Sequence, residues 1–145
     1  MKRCAAAFAV LLLLAACAKS ANEESASNAG ATAVANNPAS ASDGAVIYDA
    51  NCSSCHQANG RGISGAFPPL AGNPVVTGNP TAVIAIVKNG LDGRVEVNGQ
   101  AYSGIMPRWK GVLTDEQIAA AISYIRSSWH NQASGVSAAE VQAIK

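Results

Sequence analysis

Cys52-Ser53-Ser54-Cys55-His56 constrains this chain more than any other stretch. Two thiols three positions apart, followed at once by an imidazole, form the attachment pattern of a c-type haem. Each thiol adds across one vinyl group, so the porphyrin becomes covalently part of the chain. His56 is then held against the iron as the proximal axial ligand. The pattern names a cofactor, a bonding mode and one metal ligand. It also bears on folding, because a haem at the centre supplies apolar core that a domain of about 100 residues otherwise lacks.

The same residues admit other chemistry. A bare C-x-x-C serves as a zinc half-site or a redox dithiol. Zinc needs two more ligands, and outside the motif the chain offers only His130, Cys4 and Cys17, the two cysteines lying in the N-terminal leader. A thioredoxin-type dithiol calls for a βαβ context, which does not surround Cys52. A structural disulfide between Cys52 and Cys55 leaves the adjacent His56 without a purpose.

The leader is informative in its own right. Lys2 and Arg3 precede an apolar run from Ala5 to Ala16 with four leucines at its centre. That run is shorter than the roughly 20 residues a bilayer span needs, so it reads as a secretory signal. Leu14-Ala15-Ala16-Cys17 resembles the bacterial lipoprotein cleavage box. The resemblance implies a signal peptide over 1–16, cleavage before Cys17 and lipidation of Cys17. The competing reading is an ordinary small-residue cleavage site with an incidental cysteine. Three acyl chains exceed the two signals that stable anchoring requires. On the lipoprotein reading, Cys4 is discarded, Cys17 carries lipid, Cys52 and Cys55 carry haem, and no pair is left for a disulfide.

Ten basic side chains become eight once Lys2 and Arg3 are removed, against nine acidic ones, for a net charge of −1. Such a balance gives no electrostatic support to nucleic-acid binding. Residues 18–42 are rich in Ala, Ser and Asn without apolar periodicity, so residues 17–42 read as a lipidated cysteine and flexible tether. The tether's root-mean-square span is roughly 25–30 Å. Residues 43–145 read as a single domain.

Local signals place its elements. Ser42 or Asp43 caps a first helix with Gly44, Ile47, Tyr48 and Asn51 on one face, which delivers Cys52. Residues 60–69 are turn-rich. Asn79-Pro80 starts a helix with a stripe of Val83, Ile84, Val87 and Leu91, and Gly90 is its stop. Alternation around Asn98-Gly99 predicts a type I′ hairpin over residues 94–102. Thr114–Gln117 forms a capping box ahead of Ile118, Ala121, Ile122, Ile125 and Trp129, with Arg126 near the helix's negative end. Ser137–Glu140 opens a short terminal helix.

A second axial ligand is also expected. Met1 is lost with the leader, so Met106 is the thioether available. Pro107 discourages helix at Met106 and fixes the loop. A thioether suits low-spin haem iron, and His/Met ligation raises the reduction potential. Met106 could instead fill a core gap, and His130 is the rival ligand, although a surface site at a helix end suits it better. With both axial positions filled the iron has little to do but change oxidation state.

These residues together resemble a class I c-type cytochrome. The resemblance rests on Gly44-x-x-x-Tyr48, Cys52–His56, Pro68-Pro69-Leu70, Gly104-Ile105-Met106-Pro107 and Ser123-Tyr124-Ile125-Arg126, which cover 43–130. It implies an all-α cytochrome c fold: three main helices around one covalent haem, with a small β-hairpin inserted before the methionine loop. It further implies that the Gly44/Tyr48 face crosses the last helix near Tyr124. The Pro68 carbonyl should orient His56, and Leu70 should pack on the haem. A narrower similarity, carried by Asn59-Gly60-x-Gly62, Phe67–Pro74, Val97–Tyr102 and Ser128-Trp129-x-Asn131, points to the haem domains of alcohol and aldehyde dehydrogenase cytochrome subunits. Small cytochromes accompanying nitrite reductase or terminal oxidases have similar segments.

The function implied is one-electron transfer without catalysis of its own. An exported, lipid-anchored carrier would run between a dehydrogenase or quinol-oxidising complex and a terminal reductase or oxidase, on the periplasmic side of a bacterial membrane. Ala18 after Cys17 hints at the outer membrane. Arg61, Arg108 and Lys110 could edge a docking face or simply be solvated charge. The alternatives are a small haem subunit of a dehydrogenase or nitrite reductase complex, a haem enzyme or sensor with a displaceable sixth ligand, and a non-haem structural lipoprotein.

Overall fold

The computed structural model describes residues 41–145, with side chains from Asp43 onward. The leader, Cys17 and most of the expected tether therefore lie outside the described residues. The chain is already helical at Ala41, so Ser42 and Asp43 fall inside α1 (Ala41–Asn51) rather than capping it.

Four of the other helices begin where a side chain satisfies a free backbone amide. A single turn, α2 (Ser53–His56), follows α1 directly. Asn73 and Asn79 each accept from the amide two residues on, with Pro at the first helical position, and they start α3 (Pro74–Thr77) and α4 (Pro80–Asn89). Both predicted capping boxes are formed, Thr114 with Gln117 for α5 (Asp115–Ser127) and Ser137 with Glu140 for α6 (Ala138–Ala143). Between α4 and α5, β1 (Val95–Val97) pairs antiparallel with β2 (Gln100–Tyr102). Asn98 and Gly99 both take positive φ, 52° and 76°, as a type I′ turn demands. The architecture is all-α with one two-stranded ribbon, and α1, α4 and α5 are its main helices.

The core lies where α1, α4, α5 and α6 meet. Tyr48, Ile84, Ile118, Ile122 and Val141 are its largest fully buried side chains. Each stabilises the fold by roughly 1.5–3 kcal/mol on the area scale. Gly44 sets the crossing of α1 on α5. A methyl group there would run into the Ala120 carbonyl and lie 2.8 Å from Tyr124 Cβ. Tyr48, Tyr124 and Trp129 pack as a triad with ring centroids 5.1–5.6 Å apart.

Two predicted helix members fall elsewhere. Leu91 lies past the turn at Gly90 and pairs with Met106. Trp129 lies past Ser128, the cap of α5, with φ of 51°. Its ring covers Gly60, and its indole N–H donates to the Ala58 carbonyl at 3.1 Å. Arg126 is more than a dipole partner. It is buried and donates to the carbonyls of Ser134, Val76 and Gly78. Among the described residues no helix is long and apolar enough to cross a membrane.

Candidate functional site

The end of α1 carries the first thiol into position. The Cys52 amide donates to Tyr48 O at 2.8 Å and prolongs the helical turn. The amides of Cys55 and His56 then fold back on Cys52 O at 3.2 and 2.9 Å. One tight turn thus presents Cys52, Cys55 and His56 together. Both thiols are free and half-buried. Burial, and then the neighbouring Cys55, push the Cys52 thiol up to about 11, so it is neutral at physiological pH.

Immediately after His56 the chain reverses. Gln57 has φ 63° and ψ 151°, a region that side-chain-bearing residues avoid. Its carbonyl is held from two sides, by the Tyr48 hydroxyl at 2.6 Å and the Gly60 amide at 2.9 Å. Gly62 N donates to His56 O at 2.9 Å, and Ile63 and Phe67 exchange both backbone bonds at 2.8 Å. The small loop so formed brings Pro68 O to 2.9 Å from His56 Nδ1. A methyl at Gly62 would sit against the Phe67 carbonyl and 2.6 Å from Pro68 O, so glycine there lets the two strands of the loop close.

That bond fixes the tautomer. A carbonyl can only accept, so Nδ1 carries the proton and Nε2 keeps its lone pair. Burial lowers the affinity of His56 for a second proton, with the Pro68 bond opposing in part, which favours the neutral ring. Neutral imidazole with a defined free nitrogen is the form a metal takes. Leu70 is half-buried against the core, with its amide on Gly60 O at 2.8 Å and its carbonyl accepting from Asn131 Nδ2 at 3.0 Å.

Met106 is half-buried and comes from the far side of the hairpin. Its backbone exchanges both hydrogen bonds with Leu91, at 2.9 and 2.8 Å. Just before it, Ser103 N donates to Gly65 O at 3.2 Å and Gly104 N to Ala66 O at 2.8 Å. The loop that ends at the orienting carbonyl of Pro68 and the loop that carries Met106 are therefore hydrogen-bonded to each other. His130 is exposed, beyond the end of α5. Arg61, Arg108 and Lys110 are exposed as well.

The donor set fits a covalently attached haem. Two free thiols share one turn with an imidazole of defined tautomer, and a thioether lies on a segment bonded to the same loop. The zinc reading has no support among the described residues, where His, Cys, Asp and Glu nowhere gather in threes around a possible ion. Three further residues matter and were not singled out as parts of the site from the sequence. Gly62 and Gly90 matter through close backbone approaches, and Lys88 through burial. The signal for Lys88 was its position four residues after Ile84, on the buried face of α4.

The chain resembles known proteins over most of its described residues. The family model described as Cytochrome c matches residues 41–129. Cytochrome c-552 of Thermus thermophilus is 45% identical over 91 residues, covering 60% of this chain and 68% of that protein. The cytochrome c subunit of the quinone-type alcohol dehydrogenase of Gluconobacter oxydans is 38% identical over 117 residues, covering 79% of this chain and 24% of the subunit. The fructose dehydrogenase cytochrome subunit of Gluconobacter japonicus is 37% identical over 111 residues, or 71% of this chain and 22% of the subunit. The chain thus spans about two thirds of the first protein and under a quarter of the two dehydrogenase subunits.

Proposed function

This chain belongs to the cytochrome c family, and from that premise we propose that it is a lipid-anchored, exported electron carrier whose iron is ligated by His56 and Met106. As a cytochrome c domain it is an electron carrier with covalently bound haem c. The carrier works on the periplasmic side of a bacterial membrane, attached through Cys17. It takes single electrons from a dehydrogenase or quinol-oxidising complex and passes them to a reductase or oxidase.

A haem c held here supplies a one-electron iron couple. The chain's own residues do the rest. Cys52 and Cys55 would tether the group, and Pro68 O keeps the proton on Nδ1, which would leave the Nε2 lone pair for the metal. Met106 supplies a soft second ligand that closes the sixth position to oxygen and peroxide. Leu70 adds apolar cover. Two such axial ligands would keep metal–ligand distances similar in both oxidation states, which would favour fast outer-sphere transfer.

The observation that carries this reading is the pair of bonds from Ser103 and Gly104 to Gly65 and Ala66, which join the Met106 loop to the loop that orients His56. The test is the optical spectrum of the mature protein, oxidised and reduced. A weak methionine–iron charge-transfer band near the red edge of the oxidised spectrum, abolished by Met106→Ala, is the expected result. No such band, with ready binding of carbon monoxide to the reduced protein, would replace the carrier by a haem enzyme or sensor.

A second reading has specific support. The similarity to alcohol and fructose dehydrogenase cytochrome subunits covers more than two thirds of this chain. On that reading the protein is a small haem subunit of a dehydrogenase, or of a nitrite reductase complex. Co-purification of a stoichiometric dehydrogenase from detergent-solubilised membranes would decide for it.

A further inference from the structure

The last turn of α4 and the segment after Met106 are bonded residue by residue. Helix C-termini leave carbonyls without intrahelical partners. Here the amides of Trp109 and Lys110 take up Val87 O and Lys88 O, at 3.1 and 3.0 Å. Pro107 has no amide hydrogen to offer. Met106 itself pairs with Leu91 through both backbone groups. The segment 106–110 is thus the C-terminal cap of α4.

Gly90 makes the contact possible. Its φ of 79° and ψ of 179° belong to a region essentially reserved for glycine. A methyl there would lie 2.7 Å from Met106 O, 2.9 Å from Arg108 N and 3.1 Å from Pro107 C. All three are backbone atoms, which cannot swing aside as a side-chain tip can.

Lys88 fixes the same turn to the last helix, α6. It is 4% exposed. Its ammonium donates to Val141 O at 2.7 Å and Ile144 O at 2.5 Å, and lies 3.6 Å from an Asp115 carboxylate oxygen. Those carbonyls belong to the C-terminal end of α6, which lies beyond the residues that the family model matches.

We propose that the turn Val87–Leu91 is the positioning element for the Met106 ligand, with Gly90 admitting the methionine backbone and Lys88 bracing the turn against α6. The inference rests on Met106 being an axial ligand. The terminal helix then acts on the ligand through one buried lysine. Loosening the turn raises the fraction of molecules with the thioether off the iron. An added ligand that needs the open position gains apparent affinity in proportion to that fraction.

The experiment titrates imidazole into the oxidised, haem-loaded protein and follows loss of the methionine–iron band. Each variant is read well below its own unfolding midpoint. A side chain in the Gly90 conformation is strained and meets three backbone atoms of the methionine segment. Imidazole should therefore bind Gly90→Ala about tenfold more tightly, or tighter still. Lys88→Met should shift the same way by a smaller factor, and it decides alone if Gly90→Ala yields no haem-loaded protein. Wild-type imidazole affinity in variants that fold, whatever their melting temperatures, overturns the proposal and leaves Met106 ligation standing. Met106→Ala is the control. If it keeps the band, the ligand assignment has failed and the proposal falls with it.

Discussion

The two sides of the site are built differently. On the proximal side, residues 52–70 are held mainly by one another. His56 leans on Pro68, Gly62 on His56, Ile63 on Phe67, and Leu70 on Gly60, all within one short loop. On the other side Met106 is held by partners far off in sequence. Leu91 and the end of α4 lie on one flank, and Gly65 and Ala66 on the other. Local closure is entropically cheap and leaves little freedom, whereas a segment gripped by distant elements is as firm as those elements. The difference teaches that a perturbation in α4 or α6 reaches the methionine before the histidine, which is held chiefly by its own loop and by the Trp129 and Asn131 side chains that grip that loop.

The strongest way to break this contrast is to force the proximal loop open. Gly62→Ala puts a side chain into left-handed backbone (φ 66°) and against the Phe67 and Pro68 carbonyls. It should destabilise the folded protein by about 3 kcal/mol in denaturant titration. The methionine band should persist up to the unfolding transition. A band already lost in native buffer would mean that the two sides are not separable.

A gentler change sharpens it. Tyr48→Phe removes the hydroxyl that grips Gln57 O, while the Gly60 amide keeps its hold. The expected loss is about 1 kcal/mol, that of one buried hydrogen bond. The redox midpoint should stay at the wild-type value, because nothing on the Met106 side changes. A shifted midpoint in voltammetry would show that the Gln57 reversal also governs the iron.

The smallest effect is expected from acid. The Ser137 backbone amide, helped by its hydroxyl, holds the Glu140 carboxyl below its ordinary 4.5. The depressed value means that the cap of α6 contributes above that pH and is lost as the pH falls through the folded value. Thermal unfolding midpoints measured from pH 6 to pH 3 should therefore drop slightly more for the wild type than for Glu140→Gln. Equal slopes would remove this cap from the account of α6.

Much of this was legible because it is local. Asn79-Pro80, Thr114 with Gln117, Ser137 with Glu140, and Asn98-Gly99 each act within a few residues, and each formed as the sequence predicts. The turn that gathers Cys52, Cys55 and His56 was legible for the same reason. What escaped was set by tertiary geometry. Leu91 continues the apolar spacing of α4, but Gly90 turns the chain away and gives Leu91 to Met106. Trp129 keeps the period of α5 while its backbone leaves the helix and its ring covers Gly60. Lys88 was not singled out and Arg126 read as a partner of the helix dipole, yet both are buried and donate to carbonyls from distant segments. Charge alone does not reveal that a cation has carbonyl partners waiting for it.

The crossing of α1 on α5 has a consequence in time as well as in space. Gly44 meets Ala120 and Tyr124 across roughly 75 residues of intervening chain, a loop whose closure must precede any reward from that contact. A chain emerging amino end first cannot dock α1 until α5 has also emerged. Through that interval α1 lacks its main packing partner, and the Cys52–His56 turn that continues α1 stays exposed. The order of emergence itself leaves the thiols fully open to modification before folding covers them in part.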